Sequence, residues 1–572
     1  MRYGQTDDLV AASTEASPRA GATIEVGRPS GVVERLESVA ASSALLWFVV
    51  LLGIIPRVLL YATNPSLWLD ESLLALNFIR RGMSGLIGHP LDFDQTAPPG
   101  FLFVEKVATD IFGKSEYALR GFPILFGIAS VALFALLARR VLPPAASVVA
   151  TGLFAVTGPL VYYSSELKPY AGDVAATPAI ALMGIALLEK RVGVRRALAF
   201  GLLGFALIEI TYAGIFAAAG TAAVLIAIAV LDRARERVIP LLAVTGLWAL
   251  GAIVFLLLHN GVEHGQFMHG KFGRFAPAPT SFGAVSWYFD RARNLAYDAN
   301  LYHPPRSPLV VATLLAAGLV LVGAAHLLLR RWRLFALLVA PVVITLFASL
   351  AHQYPLLART MLFFVPLLFI FVASGLVTMA RVLPTPAGAA AATIAAAVLV
   401  THVAFAGPTN SIVPGAFRPE IKEGLGYVAR HWRRGDVLYV QYGSQYAFAY
   451  YSECGCFRLP GNRKLSSLWP VRPATVRNRS AQFPVALVSE SPNVVIGRRQ
   501  PVHTARPVHV YQEDASRLAR YRRVWVLVTW YLNPEELQLI HNELLGQLAR
   551  RGRLVTARHH EKVYLYLYDF RR

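Results

Sequence analysis

Four short stretches of this chain collect polar groups suited to group-transfer chemistry, each beside a long apolar run. The first holds an acidic pair, Asp70–Glu71, directly after Ser66-Leu67-Trp68-Leu69. A carboxylate within hydrogen-bond reach of a hydroxyl can take its proton in the transition state, so Asp70 is the leading candidate for a general base, with Glu71 beside it. The second, Tyr162–Asp173, carries Glu166 and Asp173 as a second acidic site that would orient an acceptor, and Lys168, a cation suited to a phosphate. The third, His352–Arg359, ends on Arg359, whose planar fork matches an anionic headgroup, with Tyr354 on the same segment. Arg57, near the end of an earlier apolar run, offers the same donors. The fourth is a longer segment, 259–306, with Glu263, His264, Trp287, Tyr288, Asp290, Arg291 and Arg293. Its Glu263–His264 doublet lacks metal-ligand spacing. Each stretch also has a plainer reading. Acids in a first helical turn cap the helix, a loop between spans is solvated and lined with interfacial tyrosines, and an arginine at the end of a span snorkels.

The elements that must position these groups are membrane helices. Of 572 residues, 55% are hydrophobic and 16% charged, against roughly 25% charged in a soluble domain. A helical span needs about 20 mostly apolar residues. About eleven candidates lie near 41–61, 119–138, 143–162, 172–188, 195–211, 212–231, 238–258, 307–328, 334–351, 358–380 and 382–404. The stretch 195–231 reads equally as one long helix or as two, with Glu209 and Tyr212 suiting a turn between them. The net charge of +21 would suggest nucleic acid in a soluble protein. Here the basic residues fall in short gaps between apolar runs, which excludes a nucleic-acid partner and instead sets topology. Arg139 and Arg140, Lys190 to Arg196, Arg233 to Arg237, Arg330 to Arg333, and Arg381 mark cytoplasmic gaps. The alternate gaps 62–118, 163–171, 259–306 and 352–357 face outward. An odd number of spans then leaves the N-terminus inside the cell membrane and the C-terminus outside. Pro98 to Gly113 is apolar but short, and Glu105, Lys106 and Asp110 interrupt it, so it reads as an in-plane amphipathic helix. Leu73, Leu74 and Phe78 would likewise lie on the bilayer surface and hold Asp70 at headgroup level.

The expected fold is therefore an all-α polytopic membrane domain over 41–406, preceded by a disordered cytoplasmic tail, 1–40, and followed by a small soluble α/β domain, 407–572, outside the cytoplasm. In that last part a helical pattern runs over Phe417–Arg434. Strand patterns follow at Asp436–Tyr442, Pro484–Val488, Arg523–Trp530, 553–558 and 562–569, and a helix capped by Asn533 runs to about Arg551. The two cysteines, Cys454 and Cys456, form no zinc set, and spacing leaves their redox state open.

The ordered set "LWLDES", "TAPPGFLFVEKVATDIFGKSEYALR", "YYSSELKPYAGD" and "YPLLARTMLFFVPLL" resembles the GT-C membrane glycosyltransferases, in particular bacterial relatives of the protein O-mannosyltransferases and the lipid A aminoarabinose transferase. The resemblance covers roughly residues 43 to 380. It implies a polyprenyl-phosphate sugar donor and inversion at the anomeric carbon. The family's first-loop aspartate matches Asp70, and Glu71 keeps the pair. The acidic and basic groups of its second outer loop match Glu166, Lys168 and Asp173 in type, and its arginine before a late span matches Arg359. One departure stands out. Some relatives place a phosphate-binding lysine just before the proline of the first-loop helix, where this chain has Gln95, Thr96 and Ala97 before Pro98. Lys168, Arg359 or Arg57, with Tyr354, would then bind the donor phosphate.

The expected activity is transfer of a monosaccharide from a polyprenyl phosphate to a hydroxyl of a glycan, lipid or protein, with membrane lipids as surroundings. No cofactor is required and no metal set is expected, although a divalent cation between the acidic loops is compatible with the chemistry. The alternatives are a lipid-linked sugar flippase or transporter, another membrane polysaccharide polymerase, and a scaffold displaying its outer domain. A flippase would not need a large outer α/β domain, and no related halves of the transporter kind are visible.

Overall fold

In the computed structural model the apolar runs become helices. The structure describes residues 42–571 except 88, 190–191, 235–237, 260–274, 299–309, 358, 383–385, 406–419, 475–484, 500–508, 530–533 and 561–562. The expected tail 1–40, the pair Glu263–His264, the cap Asn533 and the basic residues Lys190, Arg191, Arg235 and Arg237 lie outside the described residues. Among the described residues, eight helices are long and apolar enough to cross a bilayer, and the bent pair Pro144–Val156 and Gly158–Ser165 makes a ninth. The two remaining expected spans are helical as well. Val194–Ile210 is 17 residues long, and Ala387–Phe405, 19 residues long, is rich in alanine. The chain is a multi-pass membrane protein.

The stretch 195–231 is two helices. Thr211 takes an extended conformation (φ −135°, ψ 146°), and its hydroxyl accepts the Gly214 N–H to open the second helix at Tyr212. A side-chain acceptor at this position meets a donor that the helix leaves unpaired. The 63° bend after Val156 is met differently. Thr157 is extended and precedes Gly158-Pro159, so the ladder breaks there. The freed carbonyls are taken by the Thr157 hydroxyl on Leu153 (2.7 Å) and by Arg57 on Ala155 (2.9 Å). Gly53 lets the first span come this close, because a Cβ there would meet that of Ala155 at 2.7 Å.

Three contacts bring the arginine-rich gaps to one end of the bundle. Arg140 pairs with Glu189 (2.6 Å), Arg333 with Asp232 (2.7 Å), and Arg331 donates to the Val141 carbonyl (2.7 Å). The segments that carry Asp70, Glu166, Lys168 and Arg359 meet elsewhere, as described below.

The C-terminal part is a small α/β unit. Among its described residues, strands β1 (Asp436–Val440), β4 (Val494–Ile496), β5 (Arg523–Thr529), β6 (Arg553–His560) and β7 (Val563–Asp569) form a sheet ordered β4-β1-β5-β7-β6. The first three are parallel, and β7 and β6 turn back antiparallel. β1 and β5 are buried on both faces, as strands covered by helices must be. A short hairpin, β2 (Val471–Pro473) with β3 (Leu487–Ser489), stands apart. The helix expected over Phe417–Arg434 is seen at Ile421–Arg430, and Gly435 (φ +88°) serves the turn into β1. Cys454 and Cys456 are bridged.

This unit changes the reading of the first outer loop. Helix Leu69–Arg80 does not lie on a bilayer surface, because every residue from Glu71 to Phe78 is buried. Leu67, Leu73, Leu74 and Phe78 share one core with Tyr446, Phe448 and Trp469 of the α/β unit. Charge alone cannot distinguish an apolar face turned to lipid from one turned to a second domain. The second loop helix, Pro99–Phe112, keeps its amphipathic role. Phe101, Leu102 and Glu105 face inward, while Phe103, Ile111 and Phe112 stay exposed.

Candidate active site

Helix Leu69–Arg80 begins with its two acids in the first turn, where the dipole favours them. The helical twist sends the two carboxylates in different directions. Glu71 turns inward. Its oxygens take both Nε (2.8 Å) and Nη2 (2.7 Å) of Arg120, and the Leu167 N–H (2.9 Å). Arg120 also donates to the Pro65 carbonyl (2.6 Å). The pair is sealed, with side-chain exposures of 0% for Glu71 and 1% for Arg120. It ties the start of the first loop, Leu167 of the second stretch and a spanning helix into one rigid knot.

Asp70 turns the other way. Its Oδ2 accepts from Arg359 Nη1 at 2.5 Å, 289 positions away in sequence. This pair is open, with 21% of the Asp70 side chain and 34% of the Arg359 side chain accessible. The Tyr170 ring lies under the guanidinium at 5.9 Å. Lys168 stands near enough to act on the Asp70 charge, and its ammonium donates to Gln95 Oε1 at 2.7 Å. Burial pushes the Asp70 carboxyl up, but Arg359 and then Lys168 pull it down further, leaving it below the ordinary carboxylate value. Burial lowers Lys168, and the Asp70 charge offsets only part of that.

Lys168 of the second stretch reaches the first loop just before Pro98. Gln95 occupies the first-loop position and receives Lys168 from the second stretch. Gln95 and Thr96 also line a cleft with His89, Leu258 and His259. The second stretch is no solvated loop, since Ser164 to Pro169 are all buried. Glu166 accepts the Trp68 indole N–H at 3.0 Å, which braces it against the residue preceding the Asp70 helix.

The other candidates sit differently. Asp173 accepts the Ala213 N–H at 2.9 Å and so anchors the start of helix Tyr212–Leu231. The Tyr354 hydroxyl donates to the Thr360 carbonyl (3.0 Å), and its ring packs on Phe216. It therefore shapes the turn that presents Arg359. Arg57 is fully buried and bonds the Gly53 and Ala155 carbonyls at the helix bend. No described hydrogen bond or ion pair joins it to Asp70, Lys168 or Arg359. In the fourth stretch, Arg293 pairs with Asp290 (2.9 Å) and Arg291 stacks on Trp287. Glu105 is buried without a hydrogen-bond partner among the described residues, and burial pushes its carboxyl well above the ordinary value. Among the described residues, no three His, Cys, Asp or Glu side chains form a metal-binding group.

Arg120 was not singled out from the sequence, and Gln95 stood out there only as a residue found where some relatives have a lysine. Arg120 had a signal, because an arginine inside the apolar run 119–138 demands a partner. The contact of Gln95 with Lys168 had none, since it joins two stretches 73 positions apart.

The α/β unit clamps this site from outside. Glu420 accepts the Ser66 N–H (2.7 Å) and hydroxyl (3.0 Å), and the Tyr451 hydroxyl accepts the Leu67 N–H of the same turn at 2.9 Å. Lys422 pairs with Glu116 at 2.8 Å. At the far end of the Asp70 helix, Arg80 grips Glu453 through two bonds (2.8 and 2.6 Å).

Fold and site together define a multi-pass membrane protein whose first-loop helix, Leu69–Arg80, is held between a helical bundle and an α/β unit, with an open carboxylate–arginine pair at its start. No protein-family model and no curated protein matches the chain. Among solved structures it is similar to ArnT from Cupriavidus metallidurans bound to undecaprenyl phosphate, at 12% identity and TM-score 0.45, covering 91% of this chain and 98% of that one. It is also similar to the oligosaccharyltransferase AglB from Archaeoglobus fulgidus in complex with an inhibitory peptide and a dolichol-phosphate (13% identity, TM-score 0.44, covering 94% and 74%). A third is the Archaeoglobus fulgidus oligosaccharyltransferase complex with Zn and sulfate (13%, TM-score 0.45, covering 91% and 72%).

Proposed function

We propose that this protein is an inverting glycosyltransferase of the GT-C class. It moves a monosaccharide from a polyprenyl-phosphate donor to an acceptor hydroxyl at the outer face of the cell membrane. The observation that carries the reading is the open Asp70–Arg359 pair, with Lys168 beside it. A carboxylate and two cations converge in a partly accessible site where a lipid-borne phosphate can enter. The acidic pair divides its labour in this reading: Glu71 is a strut, and Asp70 is the base.

In the reaction the acceptor oxygen attacks the anomeric carbon from the face opposite the phosphate. Its proton passes to an Asp70 oxygen. The bond from the anomeric carbon to the phosphate oxygen breaks, and its electron pair stays on the phosphate. Arg359 and Lys168 hold that growing charge in fixed positions. The products are the glycoside, polyprenyl phosphate and protonated Asp70, which returns its proton to water. Proton removal of this kind contributes about 10²–10⁴-fold. Glu166, braced by Trp68, lines the acceptor side. The arginine-rich end of the bundle is cytoplasmic, which places the N-terminus inside and the α/β unit outside.

The test is transfer by purified protein from a panel of polyprenyl-phosphate sugars carrying mannose, glucose, galacturonate or arabinose. Asp70→Asn should abolish transfer while leaving the protein folded. A folded Asp70→Asn protein that turns over normally would remove Asp70 from the chemistry.

A further inference from the structure

The two carboxylates of the acidic pair meet two arginines in opposite ways. Glu71–Arg120 is bidentate, cross-braced by Leu167 and Pro65, and closed to solvent. Opening it would strand a charge in a dry site. Asp70–Arg359 is a single contact through one nitrogen, a fifth to a third accessible, and can open without burying a bare charge. The remaining guanidinium donors of Arg359 have no side-chain acceptor among the described hydrogen bonds. Yet a guanidinium is built to hold two oxygens at once, and a phosphate supplies them.

A second fact bears on the same pair. Asp70 can act as a base only when its carboxylate is free to accept a proton, and an arginine 2.5 Å away makes it a weak one. The chemistry therefore requires that Arg359 leave Asp70 at some point in the cycle, and the donor phosphate is the group with reason to take it.

Resting on the glycosyltransferase reading, we propose that Arg359 is shared between Asp70 and the lipid phosphate. In the free protein Arg359 holds Asp70. The incoming polyprenyl phosphate displaces the carboxylate from Arg359, with Lys168 at its other side, and thereby frees the base only when a donor is present. When the proton has arrived on Asp70 and the polyprenyl phosphate departs, Arg359 returns to the carboxylate as it deprotonates. The device prevents an empty site from holding a free base, and the protein discards product by offering Arg359 its first partner again.

Competition of this kind is a negative coupling between two ligands of one group, and coupling is reciprocal. Removing the carboxylate must therefore strengthen phosphate binding, the opposite of what loss of a catalytic residue usually does to a binding site. The experiment measures binding of undecaprenyl phosphate to full-length protein in nanodiscs, with inorganic phosphate in parallel. The proteins are wild type, Asp70→Asn, Arg359→Lys and the double variant. Asp70→Asn should bind the lipid phosphate at least about fivefold more tightly, the lower end of typical coupling. It should remain folded, with a cooperative thermal transition. In the Arg359→Lys background the gain should shrink by at least half, because the shared fork is gone. Tighter binding of undecaprenyl phosphate alone means that the site requires the lipid; tighter binding of both ligands means that it reads the phosphate, and either outcome supports sharing. Equal or weaker binding by Asp70→Asn overturns it, as does a gain of undiminished size with Arg359→Lys, which would reflect general charge repulsion. If wild type binds neither ligand, the glycosyltransferase reading falls and this inference falls with it. Wild-type binding without a gain sinks the sharing alone.

Discussion

Replacing Glu71 with alanine should damage the fold far more than the chemistry. Glu71 accepts two hydrogen bonds from Arg120, one from the Leu167 N–H and a longer one from the Trp68 N–H (3.4 Å), and neither charged side chain has more than 1% exposure. Removing one member of such a pair leaves an uncompensated buried charge, which costs about 3–5 kcal/mol. That corresponds to roughly a hundred- to several-thousand-fold in the equilibrium that docks the Asp70 helix. Denaturation of purified protein in detergent, followed by tryptophan signals from Trp68 and the α/β unit, reads this directly. Glu71→Ala should lower the midpoint strongly. The double variant Glu71→Leu with Arg120→Met should recover much of the loss, because replacing both charges with apolar groups of similar volume removes the stranded ion. A Glu71→Ala protein with a wild-type midpoint would refute the strut and return Glu71 to the catalytic pair.

Three further outcomes follow from the same geometry. Lys168→Met should weaken undecaprenyl phosphate binding about tenfold or more, the range of a lost charge-assisted hydrogen bond; unchanged affinity would leave Lys168 as a partner of Gln95 only. Glu453→Ala removes both bonds to Arg80 and should loosen the helix that carries Asp70 by about 1–2 kcal/mol. Transfer kcat should then fall several-fold with lipid affinity preserved, and an unchanged kcat would mean that the α/β unit does not position the base. For pH, Asp70 titrates below the ordinary carboxylate value in the free protein. Stability from its ion pair is therefore present above the unfolded aspartate pKa and lost as pH falls through the lower folded value. The acid limb of kcat/KM should accordingly lie below the ordinary aspartate range, and that of kcat should lie higher, because donor phosphate then occupies Arg359. Coincident limbs would contradict the exchange of partners.

Much of the architecture was legible from residue order. Apolar runs located the spans, because lipid requires about 20 apolar residues per crossing and forces the backbone into helices. The arginine-rich gaps meet at one end through pairs such as Arg140–Glu189 and Arg333–Asp232, as a common topological side requires. Asp70, Lys168 and Arg359 were each identified from their local settings, and the fold brings the three together. What local patterns do not carry is the direction in which a side chain points. Asp70 and Glu71 are neighbours in a first turn and look alike on paper, yet one reaches an open arginine and the other a sealed one. Nor did local patterns show that Asp173 bonds the start of the helix at Tyr212 and Arg57 the carbonyl freed at the bend before Thr157. The amphipathic face of Leu69–Arg80 gave no sign that a sheet domain, tied by Glu420 to Ser66 across 354 positions, would cover it instead of lipid.

The most direct measurement is a cryo-electron microscopy structure of the protein with undecaprenyl phosphate bound. The account predicts the phosphate within hydrogen-bond distance of Arg359 and Lys168, with the Asp70 carboxylate released from Arg359 and facing the space where an acceptor hydroxyl would stand. Density for the phosphate out of reach of both cations, with the Asp70–Arg359 pair still closed, would contradict it.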